Sequence, residues 1–233
     1  MQVTQITENV FQLTLPIVNV FLVDHPAGLI LIDAGPKGSK DLIFQGIRQI
    51  GKQPEDLRFI ILTHAHYDHT GGLADLLKTV NVPVYTSALC AEMIAKGIAF
   101  RPNSKIVAFL LKLLTLNGKI NLQFLYIQPV KASFKIVTEG GCVPDHQGLQ
   151  VINAPGHCAE QVALFYPVKE ALLFAADSAG NEKQLKPAFA YQSKKVNQLT
   201  LQKLAAFPFQ IAVFGHGKAV PKEKFVHMIA RRE

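Results

Sequence analysis

A chain of 233 residues with 49% hydrophobic and only 18% charged side chains can bury a large core, which excludes a disordered polypeptide. The formal net charge of +7 comes from Lys and Arg scattered along the chain, so the sequence predicts a generally basic solvated surface and no nucleic-acid face. Cys90, Cys142 and Cys158 are irregularly spaced with no CxxC, which argues against a disulfide framework or a cysteine-rich zinc module. A reducing, cytoplasmic setting is expected, because the first ten residues carry Glu8 and no Lys or Arg, unlike a secretory signal. The most lipid-like run, 106–116, is broken by Lys112 and falls far short of the ~20 apolar residues that span a bilayer, so no membrane span is expected. No composition shift or linker divides the chain, and residues 1–233 read as one domain.

In chain order, short apolar runs at 10–13, 19–23 and 29–32 predict an antiparallel meander, with Asp24-His25-Pro26-Ala27-Gly28 as hairpin chemistry between the last two. Ser39 offers an N-cap, and Leu42, Ile43, Ile47 and Ile50 recur at helical spacing until Gly51. The continuous run Phe59-Ile60-Ile61-Leu62 has strand length and delivers the chain into a polar loop ending at Gly71-Gly72, where a helix begins near Leu73. Helical segments follow at 88–96 and 105–116, giving a helical insertion at about 87–125. In the second of them Lys105, Ala108, Lys112, Thr115 and, just beyond it, Lys119 fall on one narrow stripe, while large apolar side chains cover the rest. That helix has more apolar face than one core contact needs, and reads as a lid over the substrate, a dimer contact, a membrane-surface helix or a wedge between layers. Strands at 149–153, 162–166, 172–176 and 211–214 and helices at 196–207 and 222–230 complete the chain. This grammar predicts layered sheets covered by helices on their outer faces.

The chemistry concentrates in His64-Ala65-His66-Tyr67-Asp68-His69, three imidazoles and a carboxylate within six residues after a strand. Two imidazoles at i and i+2 can share one ion from a tight loop, while Asp68 and His69 turn toward a neighbouring position. His157, Asp177 and His216 each follow a predicted strand directly. Five His and two Asp are too many for one tetrahedral ion and suit two ions with a shared carboxylate. His25 and His146 sit in turn-like sequences and are expected to be exposed, His227 to be structural in the last helix, and Cys158 to be a small buried thiol.

Thr63-His64-Ala65-His66-Tyr67-Asp68-His69, followed by Pro155-Gly156-His157, the strand-terminal Asp177 and Gly215-His216-Gly217, resembles the metallo-β-lactamase superfamily. The segment Leu31-Ile32-Asp33-Ala34-Gly35 is similar to that family's early Asp-x-Gly turn, so the resemblance covers nearly the whole chain. It implies a mixed α/β (α+β) fold, a four-layer αββα sandwich with metals at one edge between the sheets. It also implies that His64, His66 and His157 hold a first metal, Asp68, His69 and His216 a second, and that Asp177 bridges. Two divalent ions are expected, zinc foremost, with iron or manganese as alternatives. Asp33 is a candidate acceptor behind a ligand His, as well as a plain turn residue.

A fold does not fix an activity. The absence of a cysteine ligand beside His69 and His216 resembles the thioesterase and lactonase branches more than true β-lactamases. The Tyr that lactonases carry after the bridging Asp is replaced by Ser178-Ala179-Gly180, and the usual Thr and Gly-Ser after the His give way to Cys158-Ala159-Glu160-Gln161. The expectation is a hydrolase that uses a metal-bridging hydroxide to cleave a small ester, lactone or thioester, with Asp68 relaying a proton to the leaving group. The main alternative is a mononuclear iron persulfide dioxygenase using His64, His157 and Asp177. A nuclease or β-lactamase is less favoured. The partners expected are a small-molecule substrate and a second copy in a homodimer, with no nucleic acid.

Overall fold

A computed structural model of the protein describes residues 1–100, 125–143, 148–188 and 190–231. The expected helix at 105–116 and His146 lie outside the described residues.

The first half forms a seven-stranded sheet in sequential order: β1 (Gln2–Thr7), β2 (Val10–Thr14), β3 (Asn19–His25), β4 (Gly28–Ile32), β5 (Leu57–Ile61), β6 (Val84–Thr86) and β7 (Phe134–Ile136). The first four strands are antiparallel, as the meander predicted, and β4 to β7 are parallel. Helices α1 (Lys40–Gln49), α3 (Leu73–Leu77) and α4 (Ala88–Ala95) follow β4, β5 and β6. The second sheet runs β15-β14-β11-β10-β9-β8, built from β8 (Cys142–Val143), β9 (Leu149–Asn153), β10 (Val162–Tyr166), β11 (Leu172–Phe174), β14 (Ile211–Val213) and β15 (Val220–Pro221). A small ladder of β12 (Ala179–Gly180) with β13 (Lys186–Pro187) stands apart. Helices α5 (Lys194–Ala205) and α6 (Lys222–Ala230) belong to this half.

Strand periodicity sorts the side chains into three cores. Val20, Leu22, Leu29, Leu31 and Ile60 pack with Ile43 and Ile47 of α1, Leu73 and Leu76 of α3, and Met93 and Ile94 of α4. The alternate residues of the same strands, Phe21, Val23, Ile30, Ile32 and Ile61, meet Val151, Leu164, Leu172, Phe174 and Val213 from the other sheet. Ile152, Ala163, Phe165 and Leu173 point the opposite way, onto Leu201 and Leu204 of α5 and Phe225 and Met228 of α6. The order of layers is therefore helices, sheet, sheet, helices, the αββα sandwich. Fully burying one Leu, Ile or Phe contributes about 1.5–3 kcal/mol, so the central cluster alone is a strong bond between the sheets.

His25 corrects an expectation: the hairpin does not expose it. Only 9% of its surface is accessible, its Nδ1 accepts the Ala27 N–H at 3.0 Å, and its ring lies 6.3 Å from that of Tyr166. His227, expected to be structural, is exposed on α6.

Candidate metal centre

Four strand ends deliver ligand-type side chains to one rim. Beyond β5, Thr63 and His64 continue into a loop closed by the one-turn helix α2 (Tyr67–Thr70). Thr70 Oγ1 donates to the carbonyls of Ala65 at 2.8 Å and His66 at 3.0 Å, which ties the loop to itself. In the other sheet, β9, β11 and β14 point the same way, because β9 and β11 are both antiparallel to β10 and β14 is parallel to β11. Their exits carry His157, Asp177 and His216. The Val162 N–H donates to the Thr63 carbonyl at 2.9 Å and the Asn19 N–H to the Gly215 carbonyl at 2.7 Å, so the loops of the two sheets are bonded to each other.

The backbone is strained where the site is built. Ala176, just before Asp177, has φ +47°, and Asp33 has φ +65°. A left-handed conformation at a residue other than glycine costs of order 1–3 kcal/mol and persists only where its surroundings hold it. Gln161, which sequence reasoning passed over, is one such hold. Its Nε2 donates to Ala154 O and Ser178 Oγ at 2.9 Å each, and its Oε1 accepts the Asp177 N–H at 3.2 Å.

All seven predicted residues are brought together. Asp177 Oδ2 lies 3.2 Å from His216 Nε2, 3.5 Å from His69 Nε2, 3.6 Å from His157 Nε2 and 3.9 Å from His64 Nε2. Asp68 Oδ2 is 3.4 Å from His216 Nε2 and 3.8 Å from His69 Nε2. The donor atoms of His64, His66 and His157 fall within 4.8 Å of one another, as do those of Asp68, His69 and His216, and Asp177 stands between the two sets. Gly215 is needed for this approach, since a Cβ there would lie 2.1 Å from Asp177 Oδ1.

Three of the outward-facing nitrogens are anchored. His69 Nδ1 donates to Asp33 Oδ2 at 2.8 Å. His64 Nδ1 faces Thr63 Oγ1 at 3.0 Å, and that hydroxyl donates to Asp33 Oδ2 at 2.9 Å. His157 Nδ1 donates to the Ala190 carbonyl. A neutral imidazole that spends Nδ1 as a donor keeps a lone pair on Nε2. Asp33 is thus the acceptor behind two of the histidines, and Thr63 the link to one of them.

Electrostatics make the cluster a trap for positive charge. Burial, with His69 and His66 adding to it, pushes His64 well below the ordinary imidazole value, and burial with His157 beside it takes His66 down to about 3. Burial also works against the charge on Asp177, but His69 and His216 outweigh it and hold the carboxyl well below its usual range. Asp68 is lowered by the same pair against the same penalty. His216 is raised to about 10 because its bonds to Asp177 and Asp68 overcome its burial, and Asp177, Asp33 and Asp68 raise His69. Protons on His69 and His216 therefore stand where a divalent cation would neutralise the same carboxylates. Nε2 of His64 and His69 and Oδ1 of Asp177, all turned toward the cluster, are buried without hydrogen-bond partners. Orphaned lone pairs of this kind are costly unless a cation receives them, so the residues fit a metal. Imidazole and carboxylate donors suit zinc, iron or manganese.

The centre floors a cleft of about 690 Å³ walled by Ile17, Phe100, Leu125, Pro187, Ala188 and Ala190. Tyr67 lines it, and Glu182 and Lys186 supply its remaining charge. Cys158 is fully buried, as expected.

Residues 13–216 match the metallo-beta-lactamase superfamily. The probable metallo-hydrolase YflN of Bacillus subtilis is 26% identical over 238 aligned positions, covering 94% of this chain and 87% of that protein. Ribonuclease J of Sinorhizobium meliloti is 45% identical over 60 residues only, 26% of this chain and 11% of that one. Among solved structures, the HARLDQ-motif metallo-beta-lactamase of Cronobacter sakazakii superposes with a TM-score of 0.75 at 22% identity, over 99% of this chain and 91% of that one. The lactamase MIM-1 of Novosphingobium pentaromativorans gives 0.74 at 19%, over 98% and 86%. At these identities the likeness speaks for the fold.

Proposed function

The chain belongs to the metallo-beta-lactamase superfamily and is a metallo-hydrolase, and from that premise we propose that it cleaves a small ester, lactone or thioester with two divalent ions, zinc foremost. His64, His66 and His157 would hold one ion, Asp68, His69 and His216 the other, and Asp177 would touch both. The observation that carries this reading is the position of Asp177 Oδ2, within 3.2–3.9 Å of four imidazole nitrogens that belong to the two sets. When bound, such ions lower the pKa of water toward neutrality and polarise the oxygen of an acyl group.

The protein's own groups supply the rest. Asp33 and the Ala190 carbonyl hold His69 and His157 with their lone pairs inward, so the donor array is set before substrate arrives. Asp68 opens on the cleft and, held ionised by His69 and His216, can take a proton and pass it to the leaving group. Ile17, Phe100, Leu125 and Pro187 exclude water around the substrate. Among the described lining residues Lys186 is the only Lys or Arg, which suits a compact substrate of low charge better than a phosphate backbone. Three free cysteines, two of them buried, fit a reducing cytoplasmic setting.

The test is the content of Zn, Fe and Mn per chain in protein purified without added metal or chelator, with a panel of esters, lactones and thioesters. Two ions with turnover of an acyl substrate is the expected result. One iron with oxygen uptake on a persulfide would replace the hydrolase with a dioxygenase, and cleavage of RNA or DNA alone would overturn the substrate class. His66→Ala and Asp177→Ala are each expected to lose metal and activity with the far-UV spectrum retained, and full activity in either rejects the ligand assignment.

A further inference from the structure

Three of the clustered imidazoles have a partner for the nitrogen turned away from the centre: Thr63 for His64, Asp33 for His69 and the Ala190 carbonyl for His157. His66 differs. Its Nδ1 lies 2.9 Å from His157 Nε2, inside the first set, while its Nε2 is buried with no hydrogen-bond partner. An imidazole nitrogen of His66, Cys158 Sγ and a carboxylate oxygen of Glu160 lie within 4.8 Å of one another. Glu160 is only 4% exposed, and its Oε1 is also buried without a partner. No Lys or Arg forms an ion pair with it among the described residues. Its main chain is fixed, because the Glu160 carbonyl accepts from Ser87 Oγ, the N-cap of α4, at 2.7 Å.

The Cys158 thiol bonds the Glu160 carboxylate but leaves Oε1 unpartnered, and a buried carboxylate oxygen and a buried imidazole nitrogen without partners are each expensive, so in one pocket each supplies what the other lacks. We propose that Glu160 is a positioning residue for the first ligand set: it accepts the Nε2 proton of His66 and so fixes the tautomer that presents Nδ1 to the ion. The inference rests on the metal reading above. A neutral imidazole carries one proton, so a lone pair on Nδ1 requires the proton on Nε2, and that proton requires an acceptor. A carboxylate behind the ring also raises the basicity of the ligating nitrogen and sets the ring plane. Asp33 does this for His69 directly and for His64 through Thr63. Glu160, in the Cys158-Ala159-Glu160-Gln161 segment that departs from the resemblance, does it for His66.

The test is zinc affinity measured against a competing chromophoric chelator for the parent, Glu160→Leu and Glu160→Gln, with urea unfolding of each metal-free protein alongside. Loss of an outer carboxylate typically weakens metal binding 10–100-fold. Glu160→Leu is therefore expected to bind zinc about 10–100-fold more weakly than the parent, and Glu160→Gln, which keeps an acceptor oxygen, to recover most of that loss. Leu binding as tightly as the parent, or Gln as weakly as Leu, overturns the proposal. Should the variants not fold, nitrogen-15 NMR of the zinc-loaded parent decides: a proton on His66 Nε2 is expected, and a proton on Nδ1 refutes it. A parent that takes up no zinc refutes the metal reading itself, an outcome distinct from a parent that binds and a Leu variant that binds equally.

Discussion

Asp33→Asn probes the support of the centre without touching a proposed ligand. The carboxylate is 2% exposed and receives every donor around it: Oδ1 takes the Thr63 N–H at 2.8 Å, and Oδ2 takes His69 Nδ1 at 2.8 Å and the Thr63 hydroxyl at 2.9 Å. Asn tolerates the φ of +65° as well as Asp does, so backbone strain does not confuse the comparison. An amide turns one acceptor into a donor. If the NH2 group faces Thr63 the backbone N–H is stranded. If it faces His69, the imidazole must move its proton to Nε2, which removes the lone pair from the cluster. A charge-assisted bond contributes about 1.5–3 kcal/mol and a stranded buried donor costs about 1–3, so a loss of roughly 3 kcal/mol is expected in the metal-free protein. At about 2–4 °C per kcal/mol for a chain of this size, the melting temperature falls by roughly 6–12 °C. Metal affinity falls about 10–100-fold besides. Thermal unfolding of the metal-free protein and a chelator titration measure the two. A variant within about 0.5 kcal/mol of the parent that also keeps full metal content would refute the role given to Asp33.

Gly215→Ala places a Cβ 2.1 Å from Asp177 Oδ1 and 2.7 Å from His69 Cε1, so metal content should fall below that of the parent, and full occupancy would contradict the packing described. His66 protonates at about 3 in the folded metal-free protein, whereas the unfolded chain protonates at 6.5. Below pH 6.5 unfolding therefore takes up a proton, and stability drops by up to about 1.4 kcal/mol per pH unit from this site. His216, raised to about 10, contributes fully below 6.5 and loses that contribution as pH rises through 10. Urea midpoints should decline on both sides of neutrality, with His66→Gln flattening the acid limb; an acid limb identical to the parent's would reject the burial argument. Stripping metal from protein held at about a hundred times its dissociation constant should remove about 2.7 kcal/mol, or roughly 5–11 °C in melting temperature. A calorimetric trace unmoved by chelator counts against the centre.

The centre was legible because its chemistry is local in sequence: six residues hold His64, His66, Asp68 and His69, and each remaining residue follows an apolar run of strand length. Strands β9 and β10 match the predicted bounds: β10 is buried at every position with an unbroken apolar signal, and β9 keeps Leu149, Val151 and Ile152 buried. β1 was missed because Gln2–Thr7 is an edge strand with four polar residues and only Val3 and Ile6 packing on a core. The two- and three-residue strands β6, β7 and β8 were missed too, since they are shorter than the runs of four or more from which a strand is read. The outer partners follow the same logic. Asp33 could be suspected from its place after a strand and before Gly35, but Thr63, Glu160 and Gln161 acquire their roles only when segments distant in sequence meet. His25 shows the converse error: turn chemistry was read correctly, but Tyr166, 141 residues further on by their numbering, covers the ring.

The bonds from Asn19 carry a consequence for how the protein is made. Its Nδ2 reaches the carbonyls of Phe214 and Gly217, 195 and 198 positions along the chain, beside His216. A ribosome emits the first sheet long before those partners exist, so the nascent half must wait with Phe21, Val23, Ile30 and Ile32 uncovered and four metal-seeking side chains already in place. Termination a few dozen residues early would leave a fragment that can still collapse but can never assemble its rim. Synthesis of the last strands is thus the step that turns a sticky intermediate into a working molecule.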